Sequence, residues 1–149
     1  MTNKAFNSGL EIAMRLLLLM HASDESLSID DLAVMDFVTV YAADFGLTTY
    51  NIHGNNRNKE SEFTARRQQV KDAIRFLVTQ DLAGVEEADE GFLFYCTSAG
   101  EKLCDSFQSD YAADYTAAAL KTIPYVQDTG LGTLLEGINR KALHFQKEA

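Results

Sequence analysis

The stretch Phe63–Thr97, FTARRQQVKDAIRFLVTQDLAGVEEADEGFLFYCT, changes its hydrophobic period once, and that change decides the fold. In its first half Phe63, Val70, Ile74, Leu77 and Val78 share one side of a helix predicted from about Glu62 to Gln80. Arg67, Lys71 and Arg75 form an i, i+4, i+8 stripe on another side. Asp81 to Gly84 then turns the chain, Val85 begins a short strand, and Glu86 to Gly91 reads as an acidic turn. Phe92 to Cys96, rich in aromatics, gives a second strand. Thr97 or Ser98, with Glu101 at the right offset, caps a further helix.

Upstream, Ser28 with Asp31 opens a helix on which Val34, Phe37, Val38, Tyr41 and Phe45 share one face, with Gly46 as the expected stop. A polar stretch without periodicity, 47–61, separates it from the decisive segment and reads as a long loop. Ser8 and Glu11 fit the start of the first helix. Ile12, Ala13, Met14 and Leu16 to Met20 cover nearly every side of it, leaving Glu11 and Arg15 as a polar strip that Leu18 continues as an apolar residue. A helix so apolar is buried, in its own core or under a partner. Downstream, Tyr111, Tyr115, Ala118 and Ala119 pattern a helix ending near Pro124, and Leu131, Leu134, Leu135, Ile138, Ala142 and Phe145 pattern a last one. Helix, helix, helix, hairpin, helix is the winged-helix order. The expected fold is therefore mostly α with a small β-hairpin: a winged helix-turn-helix core over 1–108, and a C-terminal helical extension over 109–149 packed on the same domain.

A chain of 149 residues, 46% hydrophobic and 23% charged, is long enough to bury a core without disulfides or metals. Cys96 and Cys104 form no C-x-x-C pair and read as reduced thiols, which points to the cytoplasm. The apolar run Leu16–Met20 is too short to span a membrane, so no membrane partner is expected.

Chemistry is hard to find. His21, His53 and His144 stand far apart in unlike contexts, and no H-E-x-x-H, C-x-x-C, phosphate-binding glycine loop or nucleophile elbow occurs. His21 reads as a helix-end residue, and Gly130-Leu131-Gly132 as punctuation between helices. The expectation is no catalytic residue, no metal, no cofactor and no small-molecule substrate.

Charge is segregated. Of 13 basic residues, Arg57, Lys59, Arg66, Arg67, Lys71 and Arg75 fall in one short segment, and these are the candidates for contact with a partner or a phosphate. Asp24, Glu25, Asp30, Asp31, Asp36 and Asp44 lie in a stretch free of Lys and Arg. A winged-helix transcriptional regulator would lay the basic helix in the major groove and its wing on phosphates. Here the turn carries Glu86, Glu87, Asp89 and Glu90, and the net charge is −9, so both short-range and long-range terms oppose the duplex. A backbone contact with DNA inside a larger complex stays open, as does a merely solvated helix face. Leu18, Leu134 and Ile138 are the candidates for apolar docking.

The chain resembles a known family, the middle component of bacterial ABC three-component systems, which includes accessory subunits of Lamassu-type defence systems. The similarity begins at Asn3-Lys4-Ala5-Phe6-Asn7-Ser8-Gly9-Leu10-Glu11 and runs on to Arg15-Leu16-Leu17, where the family shows L-E-x-x-x-R-L-L. Val40-Tyr41 with Asp44, His53 followed by Glu62-Phe63 and Arg66-Arg67, and Phe94-Tyr95-x-Thr97 continue it. The loop is Asn-rich where relatives carry prolines and an arginine, and Phe63 stands in place of the usual tryptophan. The resemblance implies a non-catalytic subunit beside an SMC-like ABC ATPase with long coiled coils and an effector, commonly a nuclease, in defence against phages or plasmids. Arg66 and Arg67 sit near the boundary of the buried face, which favours a structural or partner-binding role over free solvation; replacing both with Ala is expected to weaken assembly while the isolated fold survives, and unfolding instead would mark their role as structural.

Overall fold

The computed structural model describes residues 8–55 and 59–148, by backbone alone at 61 and 142–148. The chain folds as α1 (Gly9–Ala22), α2 (Ile29–Val40), a 3-10 turn (Ala42–Phe45), α3 (Lys59–Thr79), β1 (Ala83–Ala88), β2 (Gly91–Cys96), α4 (Ser98–Asp105), α5 (Asp110–Thr129) and α6 (Leu131–Glu148). It is mostly helical, with a two-stranded antiparallel hairpin.

Local chemistry explains where the elements begin. Ser8 Oγ accepts from Glu11 N at the head of α1. At α2 the Ser28 and Asp31 side chains each accept from the other's backbone N–H, at 3.0 Å, a complete capping box. Thr97 caps α4: its Oγ1 accepts from Gly100 N at 3.1 Å while its hydroxyl faces the Asp81 and Leu82 carbonyls. Asp81 adopts φ 60° and lets Leu82 N donate to Leu77 O, closing α3 with a left-handed residue that a short polar side chain tolerates.

Helix α1 is the centre of the molecule, buried from Arg15 through Met20. Helix α3 packs on α1, α2 and α6, while α5 packs on α2 and α1. One hydrophobic cluster runs from Ile12 in α1 through Phe37, Phe63 and Leu77 to Ile123 in α5 and Ile138 in α6.

Several boundaries differ from the sequence reading. The α2 periodicity through Phe45 is interrupted at Tyr41 (ψ 35°), because His53 N donates to the Val40 carbonyl and the Asn51 side chain accepts from Ala43 N. Helix α3 starts at Lys59, so part of the expected 47–61 loop is helix. The described remainder of that loop is tied down: Asn51 bridges Ala43 and Asp44, and Tyr50 donates to Asp114 on α5. Glu86 and Glu87 belong to β1, and the turn itself is Asp89–Glu90. Helix α5 continues through Pro124 to Thr129. The carbonyl that Pro124 leaves without its donor belongs to Leu120, which faces solvent, so the lost bond is open to hydration.

Candidate functional site

The densest polar chemistry lies inside the protein. Asp36, on α2, is fully buried and receives both Arg15 Nε on Oδ1 (2.9 Å) and Arg15 Nη2 on Oδ2 (3.0 Å), a two-pronged pair from α1. Arg66 Nη1 reaches Asp36 Oδ2 from α3, and Tyr115 Oη donates to Oδ1 at 2.7 Å from α5. Four helices thus converge on one carboxylate. Arg66 is 2% exposed, its guanidinium carbon lies 5.8 Å from the centre of the Phe37 ring, and its Nη2 is 4.0 Å from Glu62 Oε2. Arg66 Nε finds no hydrogen-bond partner among the described residues.

Burial alone would raise the Asp36 carboxyl, but Arg15 and Arg66 outweigh it and hold the group ionised, well below the usual carboxylate range. Burial pushes the Tyr115 hydroxyl well up, and the Asp36 charge adds to that. His53, on the connection before α3, contacts Tyr111 Oη at 2.7 Å and meets the Tyr41 ring edge-on. Burial, followed by the nearby Arg15 and Arg66 charges, lowers His53 to about 3, so its ring is neutral at ordinary pH. Burial likewise raises Cys96 to about 11 and Cys104 to about 12, keeping both as thiols.

This arrangement binds helices together and does little else. Asp36 accepts four hydrogen bonds, which fills its lone-pair sites, and its low proton affinity makes it a poor base. Beside it, a groove of about 440 Å³ runs between α1 and the start of α5, walled mainly by Leu10, Met14, Leu18, Phe107 and Ala112. No group of three or more metal-ligating side chains occurs among the described residues. No helix among them is long and apolar enough to cross a membrane.

The candidates read from the sequence separate into distinct environments. Arg57 lies outside the described residues. Arg66 is a core residue paired with Asp36 and is not available at the surface of the chain. Lys59 pairs with Asp44 (3.1 Å) and Glu60 (3.2 Å), and Arg67 pairs with Asp30 (2.7 Å). Lys71 and Arg75 are exposed, with no ion pair among the described residues. Leu18, Leu134 and Ile138 are buried at 7%, 8% and 4% exposure within the chain's own core; Leu18 edges the groove between α1 and α5, and Leu134 and Ile138 present no open apolar face. His21 Nε2 sits 3.3 Å from Asp105 at the end of α1.

Sequence reasoning missed Asp36, Tyr115 and the His53–Tyr111 contact, and it took Arg15 for part of a polar strip. A signal was present: Arg15 stands between Met14 and the run Leu16–Leu19, and Asp36 stands between Met35 and Phe37. Two opposite charges set in the apolar stretches of two helices are most cheaply buried together.

The fold and this interior define a small, mostly helical protein with a buried ion cluster and an exposed, carboxylate-rich hairpin. Residues 5–148 match the family described as ABC-three component (ABC-3C) system Middle Component 2, and the chain belongs to that family. No curated protein and no solved structure matches it. As a component of a multi-protein system, the chain has protein partners.

Proposed function

We propose that this chain is the non-catalytic middle subunit that links an SMC-like ABC ATPase to an effector nuclease, in a cytoplasmic, Lamassu-type defence against phages or plasmids. Family membership supports the setting. The observation that carries the non-catalytic part is the state of Asp36: the most strongly perturbed carboxylate is sealed, saturated and shared by four helices. The groups that remain outside, Lys71 and Arg75 on α3 and the four carboxylates of the hairpin, suit recognition of other polymers rather than bond chemistry.

We read the body as a winged helix-turn-helix over 1–108 with an extension over 109–149. The order α1, α2, α3, hairpin supports this reading, as does the Leu27 bridge that gives β2 a third-strand neighbour. Tyr115, which completes the Asp36 cluster from α5, supports packing that extension on the same domain. A winged-helix transcriptional regulator is the second reading, favoured by the exposed Lys71 and Arg75, which form no ion pair among the described residues. The hairpin opposes it, because Glu86, Glu87, Asp89 and Glu90 stand where a wing would meet phosphates.

Co-expression of the tagged chain with its neighbouring genes, followed by affinity capture, tests the first reading. An ABC ATPase retained through a salt wash is the expected result, and a chain recovered alone refutes it. A gel shift with duplex DNA at low salt tests the second, which fails if the isolated chain leaves the duplex unshifted.

A further inference from the structure

The backbone of the hairpin points part of its hydrogen-bonding capacity outward. Leu27 N donates to Phe94 O (2.9 Å) and Phe94 N to Leu27 O (2.8 Å), so both polar groups of Phe94 face away from β1. Val85 is the residue directly opposite Phe94. In an antiparallel pair, opposite residues alternate between exchanging both backbone bonds and exchanging neither. Val85 and Phe94 are therefore a non-bonded pair, and the N–H and C=O of Val85 point to the far side of β1. By the same alternation Glu87 points outward, whereas Glu86 and Ala88 bond to β2. Among the described residues, neither Val85 nor Glu87 takes a backbone bond outside the hairpin.

Side chains around this edge add apolar area and uniform charge. Val85 is 42% exposed and Phe92, opposite Glu87, is 59% exposed, where the hairpin runs out beyond the core. Glu86, Glu87, Asp89 and Glu90 are all exposed, and none forms an ion pair among the described residues. An open strand edge is a template for pairing, and its charge selects what pairs. A second copy would set carboxylates against carboxylates, and a duplex would set them against phosphates. A cationic, extended polypeptide meets neither obstacle.

We propose that the outer edge of β1 is a strand-addition site, on which an extended, lysine- or arginine-rich segment of a partner protein pairs with Val85 and Glu87. Apolar residues of that segment cover Val85 and Phe92, and its cations meet the carboxylates on either side. The adaptor reading enters only in supplying the partner, a subunit of the same assembly.

The test titrates the full, isotope-labelled chain with a synthetic peptide of alternating lysine and valine, read by amide NMR. The expected result is shifted Val85 and Glu87 amide signals that also become protected from hydrogen exchange. Two controls remove backbone pairing: the same peptide N-methylated at alternate residues, which keeps every charge, and the variant Glu87→Pro, read against Glu87→Gln, which loses the same carboxylate but keeps the N–H. Proline at 87 deletes an outward N–H and leaves the bonds between β1 and β2 intact. Each control weakens binding about tenfold, the worth of one or two edge hydrogen bonds. Should Glu87→Pro fail to fold, the methylated peptide decides alone. Strand addition is overturned if the chain ignores the unmodified peptide, or if the methylated one binds equally well. Failure here alongside successful ATPase capture removes this site and leaves the adaptor intact.

Discussion

Replacing Asp36 with Asn tests the buried cluster at its centre. The substitution keeps the shape but removes the negative charge on which Arg15 and Arg66 converge, and it puts an amide donor beside guanidinium donors. Removing one partner from a buried ion pair costs about 3–5 kcal/mol, because the remaining charges stay buried without compensation. That is a large share of the roughly 5–15 kcal/mol that holds a domain of this size together. At about 2–4 °C per kcal/mol, the melting temperature falls by about 6–20 °C, measured by circular dichroism and checked by urea unfolding at pH 7. The Asp36 pKa is depressed in the folded chain, so its contribution is present above the ordinary carboxylate range and is lost as pH falls below about 4. The gap between wild type and Asp36→Asn is therefore full at pH 7 and narrows in strong acid. Tyr115→Phe, which removes one charge-assisted bond, costs about 1.5–3 kcal/mol. The triple replacement Arg15→Met, Asp36→Leu, Arg66→Met costs less than Asp36→Asn alone, because no buried charge is stranded. An Asp36→Asn protein that melts within about 3 °C of wild type refutes the cluster as a structural hub.

His53 is neutral when folded, with its pKa lowered to about 3, whereas an unfolded histidine titrates near about 6.5. Stability is thus full above about pH 6.5 and declines toward pH 3, by up to about 1.4 kcal/mol per unit; His53→Gln should lose that slope in urea titrations, and equal slopes would contradict the assignment. Gly100→Ala drives a methyl group into the Leu82 carbonyl and to 2.8 Å from Cys96 Sγ, so α4 must shift and stability drops by about 1–3 kcal/mol. A melting curve that does not move shows the junction to be softer than its geometry. Lys71→Glu with Arg75→Glu changes exposed side chains, leaving stability within about 0.5 kcal/mol per site while reducing partner capture; undiminished capture removes the basic face from the interface.

Much of the architecture was legible because caps and periods are local signals. Ser8, Ser28 and Thr97 announce helix starts that the structure places where their side chains say, and the Phe92–Cys96 run is β2 with Gly91 added. What escaped was set by contacts distant in sequence. Tyr41 ends α2 where His53 N folds back to donate to the Val40 carbonyl and the Asn51 side chain accepts from Ala43 N, and Pro124 sits inside α5 because the exposed Leu120 side tolerates the lost bond. Helical periodicity placed Arg66 near the edge of the buried face, yet its inward turn depends on Asp36, thirty residues earlier. The expectation that Arg66 and Arg67 act together therefore divides: Arg66 is a core residue, and Arg67 is a surface partner of Asp30. Leu134 and Ile138, named as candidates for apolar docking, lie in the chain's own core, since sequence cannot say whose core a stripe enters.

Native mass spectrometry of the ATPase, the effector and this chain, co-expressed and purified through a tag on the ATPase, reaches the adaptor claim most directly. The expected result is one particle containing all three, from which the effector is lost when this chain is left out of the expression. An ATPase–effector particle that assembles equally well without the chain contradicts it.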